Sequence, residues 1–568
     1  MTAHELYAGN ALENDLTLAG DVAIIGSGAG GGVTAEILAR AGLRVVLVEE
    51  GAHWTARDFT LREVASFARF YHEGGVRSTR DRAIGVLQGR TVGGSTTVNW
   101  TSTLRTPPRT LRHWVEAWGL EGLGPEAMTP WFALMERRLH VAPWTDHNTN
   151  NALLARGAAA LGWHHDPLPR NVRGCVGLGY CGLGCPIGAK QSMLVTTIPA
   201  ALDRGAALVS RVRAERLERR GDRVVAVAGL ALDARGVRPT GRRVRVEAPF
   251  FVLAGGAING PALLLRSQVP DPYRTLGTRT FLQIHNYSIA ATAAPVDGHR
   301  GAPQSVHSEQ FLWRDGVSGR AGYHLEAVGA QPVGMMNFRT AFGRRLAEQA
   351  RAFRHVHILV AQIRDGFHAD SPGGTVTLGA DGTPVLDYPL TSHLWEAVRS
   401  SYLTMAECQF AAGAATVTPA TMAADPYRSW AEARTAIAGL RLRSPDTHLN
   451  STHPLGGCAM GKDPRRTVVN GEGRHHQLAN LAVIDGSVFP TSVGVNPGLS
   501  IYALAARQAT RLAERLGRTV PPEYRVGAAA PNTPERTASQ QQAQQQPPPP
   551  QEQEHEKIES MARAPVFP

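Results

Sequence analysis

The first third of the chain alternates short apolar runs with stretches of helical spacing. Residues 21–25 and 44–48 are rich in valine, isoleucine and leucine, which is typical of strands buried in a parallel sheet. Residues 34–41, between these runs, have helical spacing, and so does the tryptophan-rich stretch at about 110–165. This alternation predicts an α/β domain with a parallel sheet.

Residues 271–447 follow a different pattern. The segments HNYSIAATAAPV, GYHLEAVG, HVHILVAQI and GTVTLGADGTPVLDYPL are each bounded by turn residues, which predicts the strands of an antiparallel sheet. The apolar run LAVIDGSVFP and the amphipathic helix IYALAARQATRLAERLG then return to the first pattern. We therefore expect a discontinuous α/β domain, residues 18–270 and 448–516, with helical and cysteine-rich excursions at about 110–200. An α+β domain is inserted at 271–447.

The end of the chain has too few apolar residues to build a core. Beyond about residue 520 the sequence is dominated by glutamine and proline, so residues 521–568 are expected to be a disordered tail. The net charge of +11 comes almost entirely from arginines that are scattered along the chain, which argues against a nucleic-acid-binding surface. No apolar run is long enough to span a membrane, and the N-terminus lacks the features of a signal peptide, so a cytoplasmic location is expected.

A glycine-rich turn follows the first predicted strand. Gly26, Gly28 and Gly31 have the spacing G-x-G-x-x-G between a strand and a helix, the context in which this motif binds a dinucleotide. The first glycine permits a tight turn, the second lets the backbone approach a pyrophosphate, and the third lets helix and strand pack closely. Glu49 ends the next strand, where a carboxylate can accept a hydrogen bond from a ribose hydroxyl. The domain is therefore expected to be Rossmann-like, but the motif alone does not distinguish NAD from FAD.

Three later segments carry a family resemblance. GRTVGGSTTVN at 89–99 resembles the first signature of the glucose–methanol–choline (GMC) flavoenzymes, and GAINGPALLLRS at 256–267 resembles their second. IDGS at 484–487 is similar to their phosphate-side loop, and the resemblance spans roughly residues 18–516. Gly260 and Gln268 depart from the second signature, so packing there is expected to differ.

The resemblance implies FAD as the cofactor and extends the set of expected contacts beyond the glycine turn and Glu49. These further contacts are Arg90, Gly93, Gly94, Ser95, Asn99, Val212, Asp485, Gly486, Asn496 and Pro497. Some family members attach FAD covalently through a histidine just before the position of Asn99. Because Val98 stands there, the cofactor is expected to be held non-covalently.

The catalytic pair of the family has counterparts in two C-terminal motifs. His453 lies in THPLGGCAMG and Asn496 in GVNPGLSIY, which resembles the family's histidine–asparagine version. The pair implies that a neutral imidazole accepts the proton of an alcohol while the amide donates to the developing alkoxide. Some relatives also have a carboxylate that faces the flavin from a strand. Glu326 lies on such a predicted strand, but we expect it to be exposed and outside the catalytic set.

Three of the five cysteines lie within eleven residues, CVGLGYCGLGC, in a glycine-rich segment. Cys175, Cys181 and Cys185 lack the paired C-x2-C spacing of zinc sites. Some GMC proteins resemble this segment and use three cysteines to hold a three-iron, four-sulfur cluster; long-chain alcohol oxidases have a similar segment followed by GAKQS, as here at 188–192. An iron–sulfur cluster, a disulfide and free thiols all remain open.

The function that the resemblance implies is FAD-dependent oxidation of an alcohol to a carbonyl, by a dehydrogenase or an oxidase. The electron acceptor would be oxygen, a quinone or a redox partner protein. Two alternatives remain: a cluster-bearing sugar or alcohol dehydrogenase subunit, and a flavin-fold lyase without net oxidation. No nucleic-acid partner is expected.

Overall fold

The computed structural model describes residues 5–329, 331–337 and 342–526. Most of the tail predicted at 521–568, namely 527–568, lies outside the described residues. Residues Pro522–Tyr524 form a short 3-10 helix, and the Tyr524 ring is 3% exposed against the main core. Residues 522–524, inside the predicted tail, thus belong to the folded part of the chain, because this one aromatic side chain packs against the core.

A six-stranded parallel sheet forms the centre of the Rossmann-like domain. All four residues of its strand Val22–Ile25 are buried, as the apolar run predicts. In spatial order the strands are Leu6–Ala8, Ala207–Ser210, Val45–Val48, Val22–Ile25, Phe250–Leu253 and Leu481–Val483. The last strand comes from the C-terminal part of the chain, which confirms that the domain is discontinuous.

Two smaller sheets and a set of helices complete this part of the molecule. A four-stranded sheet consists of Leu16–Ala19, Val212–Arg220, Arg223–Leu232 and Pro239–Glu247. Short pairs join Val141–Pro143 to Pro169–Asn171 and Thr280–Phe281 to Leu455–Gly456. The helices are Ala29–Arg40, Glu63–Phe70, Pro108–Trp118, Pro125–Arg138, Thr149–Ala160, Thr197–Leu202, Gly256–Arg266 and Gly498–Arg515.

The inserted domain is built on a large, mostly antiparallel sheet. Its strands, in order, are Ile84–Val86, Leu449–Ser451, His285–Ala291, Val356–Ile363, Tyr323–Ala327, Val306–Ser308 and Asp166–Pro167, and Thr416–Pro419 also pairs with His285–Ala291. Several strands come from outside 271–447, and one pair, Ile84–Val86 with Leu449–Ser451, is parallel. The segment GTVTLGADGTPVLDYPL forms a separate hairpin, Thr375–Leu378 with Pro384–Asp387.

The helices of this second part are Pro332–Asn337, Gly343–Arg351, Ser392–Ala411 and Trp430–Gly439. The long helix Ser392–Ala411 packs against the sheet. Its N-terminus is capped by Thr391, whose hydroxyl oxygen accepts a hydrogen bond from the Leu394 N–H. Within the described residues, none of the helices combines the length and the apolar character that crossing a bilayer requires.

Candidate active site

A cavity of about 1170 Å³ extends from the glycine turn after the first parallel strand to the two C-terminal motifs. This volume exceeds the range of about 300–1,000 Å³ that is usual for pockets holding one small ligand. Most of the predicted cofactor contacts line it, together with His453. They are Gly26, Gly28, Glu49, Arg90, Gly94, Ser95, Asn99, Val212, Asp485, Gly486, Asn496 and Pro497.

Gly31 and Gly93 do not line the cavity but hold its walls in place. A Cβ atom on Gly31 would lie 1.9 Å from the carbonyl oxygen of Gly26, so only glycine lets the helix approach the strand. Gly93 has φ = +87°, and a Cβ atom there would lie 2.5 Å from the Thr97 hydroxyl oxygen. Both predicted contacts therefore shape the backbone around the site and do not face the space where a cofactor would lie.

The N-terminus of the helix Ala29–Arg40 opens onto the cavity. A Cβ atom on Gly28, the N-cap residue, would meet nothing nearer than 3.8 Å, so the space before the first helical turn is free. Unpaired backbone N–H groups at a helix N-terminus form a site for phosphate. The geometry therefore fits the pyrophosphate of a dinucleotide.

Glu49 is held in place by a serine that the motif analysis did not single out. The Glu49 carboxylate accepts hydrogen bonds from the Ser27 N–H at 3.0 Å, the Ser27 hydroxyl at 2.7 Å and the Gly51 N–H at 2.7 Å. The Ser27 hydroxyl also accepts from the Gly93 N–H at 3.0 Å. Burial raises the pKa of Glu49. Ser27 thus joins the two glycine-rich loops to the predicted ribose-binding carboxylate.

Asp485 acts as a similar anchor at the other side of the cavity. Its carboxylate accepts from the Gly256 N–H at 2.6 Å and the Ser487 N–H at 2.8 Å. Gly256 begins the helix Gly256–Arg266, so this carboxylate fixes a second helix N-terminus against the 484–487 loop. Burial raises the pKa of Asp485.

The loop at 93–99 offers polar atoms to the middle of the cavity. The Asn99 side-chain oxygen is buried and has no hydrogen-bond partner in the described part of the chain, and an orphaned acceptor of this kind fits a ligand N–H such as that of a flavin ring. The adjacent Val98 lines the cavity and is 4% exposed. Arg90 is fixed by the Gly236 carbonyl oxygen, to which it donates at 2.6 Å.

His453 lies at the far end of the cavity beside a second histidine. Its Nδ1 atom is 3.3 Å from Nε2 of His285, and the two rings meet edge to face at 78°. Burial lowers the pKa of His453 well below its usual value, and the neighbouring His285 and His324 lower it further. The imidazole is therefore neutral at pH 7, as a general base must be.

Asn496 lines this end of the cavity and contacts the buried Glu326 behind it, whose predicted exposure was wrong. Glu326 is 0% exposed, and its Oε2 atom accepts from the amide nitrogens of Gln362 at 2.7 Å, Asn496 at 3.5 Å and Gln304. Burial raises the pKa of Glu326 to about 8. All five residues of the strand Tyr323–Ala327 are buried, so both faces of the sheet are covered at this strand, which local sequence does not reveal.

The last helix begins directly after the asparagine. Pro497 is the N-cap residue of the helix Gly498–Arg515, and both Pro497 and Gly498 line the cavity. The positive end of a helix stabilises negative charge placed before it. The helix thus begins at the proline and glycine where the sequence predicts its start.

The cysteine-rich loop forms part of the cavity wall, and its three cysteines are free thiols. The guanidinium of Arg170 donates to Cys181 Sγ at 3.6 Å, and the ammonium group of Lys190 donates to the Cys181 carbonyl oxygen at 2.6 Å. Lys190 also donates to the carbonyl oxygens of Thr97 and Asn99, so it ties this loop to the 93–99 loop. These contacts support a packing role for the segment, and nothing in the described residues supports an iron–sulfur cluster.

The remaining polar residues around the catalytic pair escaped the sequence analysis. His285, Gln362 and His324 are direct neighbours on three adjacent strands, because His285 pairs with Gln362 and Gln362 with His324. The detectable signal is a polar residue in the middle of an otherwise apolar strand. Its partners across the sheet depend on the register, which the sequence alone does not define.

The parallel sheet and its glycine turn fit the class of proteins that bind a dinucleotide cofactor, and the predicted pair His453 and Asn496 lies at the same cavity. The model of the family described as GMC oxidoreductase matches residues 67–285 with its N-terminal part and 370–505 with its C-terminal part. The chain is also 33% identical over 492 residues to an uncharacterised GMC-type oxidoreductase of Mycobacterium tuberculosis, covering 85% of this chain and 74% of that protein. This chain belongs to the GMC oxidoreductase family.

Two further comparisons involve proteins named for a reaction. A long-chain-alcohol oxidase of Arabidopsis thaliana is 28% identical over 527 residues, covering 87% of this chain and 67% of the plant protein. The crystal structure of pyridoxine 4-oxidase from Mesorbium loti superposes with a TM-score of 0.64 at 19% identity, covering 87% of this chain and 99% of that one. The second likeness confirms the Rossmann-like fold with its inserted domain.

Proposed function

We propose that the protein oxidises an alcohol to the corresponding carbonyl compound with non-covalently bound FAD. The observation that carries this proposal is the meeting of His453, Asn496 and the glycine turn at a single cavity, although they are far apart in the chain. FAD, when bound, supplies the acceptor for the hydride of the carbinol carbon. The protein's own residues bind the cofactor, orient the alcohol and remove its hydroxyl proton.

His453 is the general base in this proposal. A neutral imidazole accepts the hydroxyl proton, and the lowered pKa of His453 keeps it neutral. In the tautomer that this proposal requires, the Nδ1–H group of His453 donates to Nε2 of His285. The lone pair on Nε2 of His453 is then left for the substrate. His285 is therefore a positioning residue that selects the tautomer.

Asn496 is the electrostatic partner. Its amide group donates to Glu326, and this contact fixes the plane of the amide at the cavity wall. The second hydrogen on the same nitrogen is available to the alkoxide that develops as the proton leaves. Gln304 and Gln362 hold Glu326 from the other side, so the amide rests on a buried network and not on a mobile loop.

The non-covalent mode of FAD binding is supported by the wall of the cavity near Asn99. Val98 has no atom that can form a bond to a flavin ring, and the glycine turn, Glu49 and Asn99 supply polar groups along the cavity. Acid precipitation of the purified protein should release the yellow chromophore into the supernatant. Colour that stays with the precipitate would contradict this part of the proposal.

The substrate class that best fits the cavity is an apolar or aromatic alcohol. Tyr71, Trp100, Tyr287 and Val360 line it, and Val76, which is 79% exposed, also contributes to the lining. Apolar side chains both inside the cavity and in contact with solvent favour a substrate that loses its hydration shell on entry. The relative named a long-chain-alcohol oxidase agrees with this preference.

Oxygen is the proposed electron acceptor, because several relatives are named oxidases, whereas the free thiols give no support to an iron–sulfur route.

The test is anaerobic mixing of the holoprotein with a series of primary alcohols, followed by admission of oxygen. We expect loss of the flavin absorbance with the alcohol and its return, with hydrogen peroxide, in oxygen. A flavin-fold lyase would leave the flavin oxidised, and a dehydrogenase would be reduced without rapid reoxidation by oxygen.

A further inference from the structure

A second group of chemically active side chains lies on the large sheet, outside the cavity. His307 belongs to the strand Val306–Ser308, Glu309 follows that strand directly, and His324 lies on the neighbouring strand Tyr323–Ala327. One nitrogen or oxygen atom from each of the three lies within 4.8 Å of the other two. None of them lines the cavity, so the proposed reaction does not account for this grouping.

The two imidazoles are spaced as ligands of one ion would be. Nδ1 of His307 lies 2.9 Å from Nε2 of His324. If each nitrogen is about 2.0–2.1 Å from a metal ion, this separation corresponds to an angle of about 90° at the ion. That angle is the angle between adjacent positions of an octahedron, and two histidines with one carboxylate on one face form a recurring site for divalent transition metals.

The carboxylate of the third residue also suits a metal site. Glu309 is half-buried, and within the described part of the chain no hydrogen-bond donor contacts its carboxylate. A carboxylate in such surroundings has lost much of its hydration without gaining a partner.

The far side of His324 provides the second observation. Among the residues that the structure describes, its Nδ1 atom has no hydrogen-bond partner, and neither does Oε1 of Glu326, which lies 3.9 Å away. Both side chains are 0% exposed. A histidine that binds a metal through one nitrogen characteristically directs its other N–H at a carboxylate. Metal binding through Nε2 would place the proton on Nδ1, where it faces Glu326.

We propose that His307, Glu309 and His324 form a binding site for one divalent first-row transition-metal ion, completed by water. The ion would join the edge of the sheet to Glu326 and, through it, to Asn496. Asp166 lies opposite His307 in the strand ladder and forms an exposed pair with His164 at 3.0 Å, so an entry for the ion lies at the protein surface. This site is independent of the proposed alcohol oxidation.

The test uses full-length, tag-free holoprotein that has been stripped with a chelator and dialysed against Co²⁺, Zn²⁺ or Mn²⁺. Elemental analysis should find one ion per chain, and the melting temperature should rise with metal concentration. Glu309→Gln, which preserves size and half-exposure, and His307→Gln should each weaken binding by about 100-fold or more, because second-shell changes alone cost about 10- to 100-fold. His164→Ala, at the exposed neighbour, should bind as the unchanged protein does.

Every result of these binding measurements either supports or overturns the proposed metal site. Flavin content and melting temperature without metal show that the variants are folded, and Glu309→Gln removes a ligand without opening a buried gap. Absence of stoichiometric binding in the unchanged protein would overturn the proposal. So would an affinity in Glu309→Gln and His307→Gln equal to that of the unchanged protein, or loss of binding in His164→Ala alone, which would assign the ion to the exposed pair. Binding is measured without turnover, so failure here leaves the proposed oxidation untouched.

Discussion

Nδ1 of His453 lies 3.3 Å from Nε2 of His285, and the two rings meet nearly at right angles. The two residues come from opposite sides of the inserted segment, 168 positions apart in the chain. The contact leaves one nitrogen of His453 for the cavity and makes the protonation of that nitrogen depend on His285. The catalytic chemistry proposed above therefore rests on a pair of imidazoles and not on one.

His453→Gln should slow the reduction of bound flavin by an alcohol about 10²- to 10⁴-fold, the usual contribution of a positioned general base. The flavin content should be unchanged, because the glycine turn, Glu49 and Asp485 lie elsewhere along the cavity. Anaerobic stopped-flow absorbance measures both quantities. His448→Gln is a matched control, since this histidine also lines the cavity but is not part of the proposed pair. Near-normal reduction in His453→Gln would remove this residue from the mechanism.

His285→Phe should slow the same step by about tenfold or more, because loss of a partner that fixes a histidine tautomer is costly even when the base remains. Phenylalanine retains a ring of similar size but cannot accept from Nδ1–H. The affinity for the alcohol should change much less than the reduction rate. His285→Asn, which can still accept a hydrogen bond, should recover part of the loss. Equal rates in the two variants would show that the contact with His453 is only packing.

The reduction rate should show no decline centred near pH 6.5 as the pH falls, and a change near pH 8 would belong to Glu326, whose pKa burial raises to about 8. The proposed base is active when neutral, and because burial lowers the pKa of His453 well below 6.5, the neutral form persists on the acid side of that value. The rate is lost only when the pH falls through the lowered pKa. Stopped-flow reduction at saturating alcohol, with flavin content checked at each pH, tests this. A decline already centred at pH 6.5–7 would mean that the base has an ordinary histidine pKa.

The cysteine-rich loop should contain neither iron nor a disulfide. Protein purified without oxygen should carry no stoichiometric iron, and after denaturation all five cysteines should react as thiols. Cys175→Ser should retain flavin and activity, because this side chain is only half-buried. Cys181→Ser should cost more, because the Cys181 side chain, although also half-buried, accepts a hydrogen bond from Arg170. About three irons per chain, or loss of visible absorbance in all three single variants, would contradict this and imply a partner protein as electron acceptor.

The parts of the site that follow from local rules could be predicted from the sequence. The turn at Gly26 has φ = +99°, and the Gly31 position allows no side chain, so both positions require glycine and the sequence motif predicts this backbone structure. The contacts that depend on strand register could not be predicted. Glu326 looks like any strand carboxylate in the text YHLEAVG, and it is buried only because both faces of its strand are packed against other parts of the protein.

Pairing between strands that are distant in sequence also explains why the sheet of the inserted domain includes strands from outside residues 271–447. The pattern changes near residue 271, and the bounding turn residues identify three strands of the large sheet, His285–Ala291, Tyr323–Ala327 and Val356–Ile363. Ile84–Val86 and Leu449–Ser451 also join that sheet, although each is only three residues long and neither has a pattern of its own. Short strands are recruited by neighbours that are distant in sequence, so periodicity cannot detect them.

The C-terminal end of the chain allows a sharp comparison of two truncations. Removing residues 527–568 should leave the melting temperature and flavin content unchanged, because a segment rich in glutamine and proline has little apolar surface to bury. Removing residues 521–568 also deletes Tyr524, whose ring is 3% exposed and packed on the main core beside Arg138 and Glu36. Loss of a buried aromatic side chain costs about 3–5 kcal/mol, so this shorter chain should melt several degrees lower.

Tyr524→Ala in the full-length chain should reproduce that loss. Equal melting temperatures for the two truncations would show that Tyr524 adds nothing, and a large loss on removing 527–568 alone would show that the segment contributes to the folded protein.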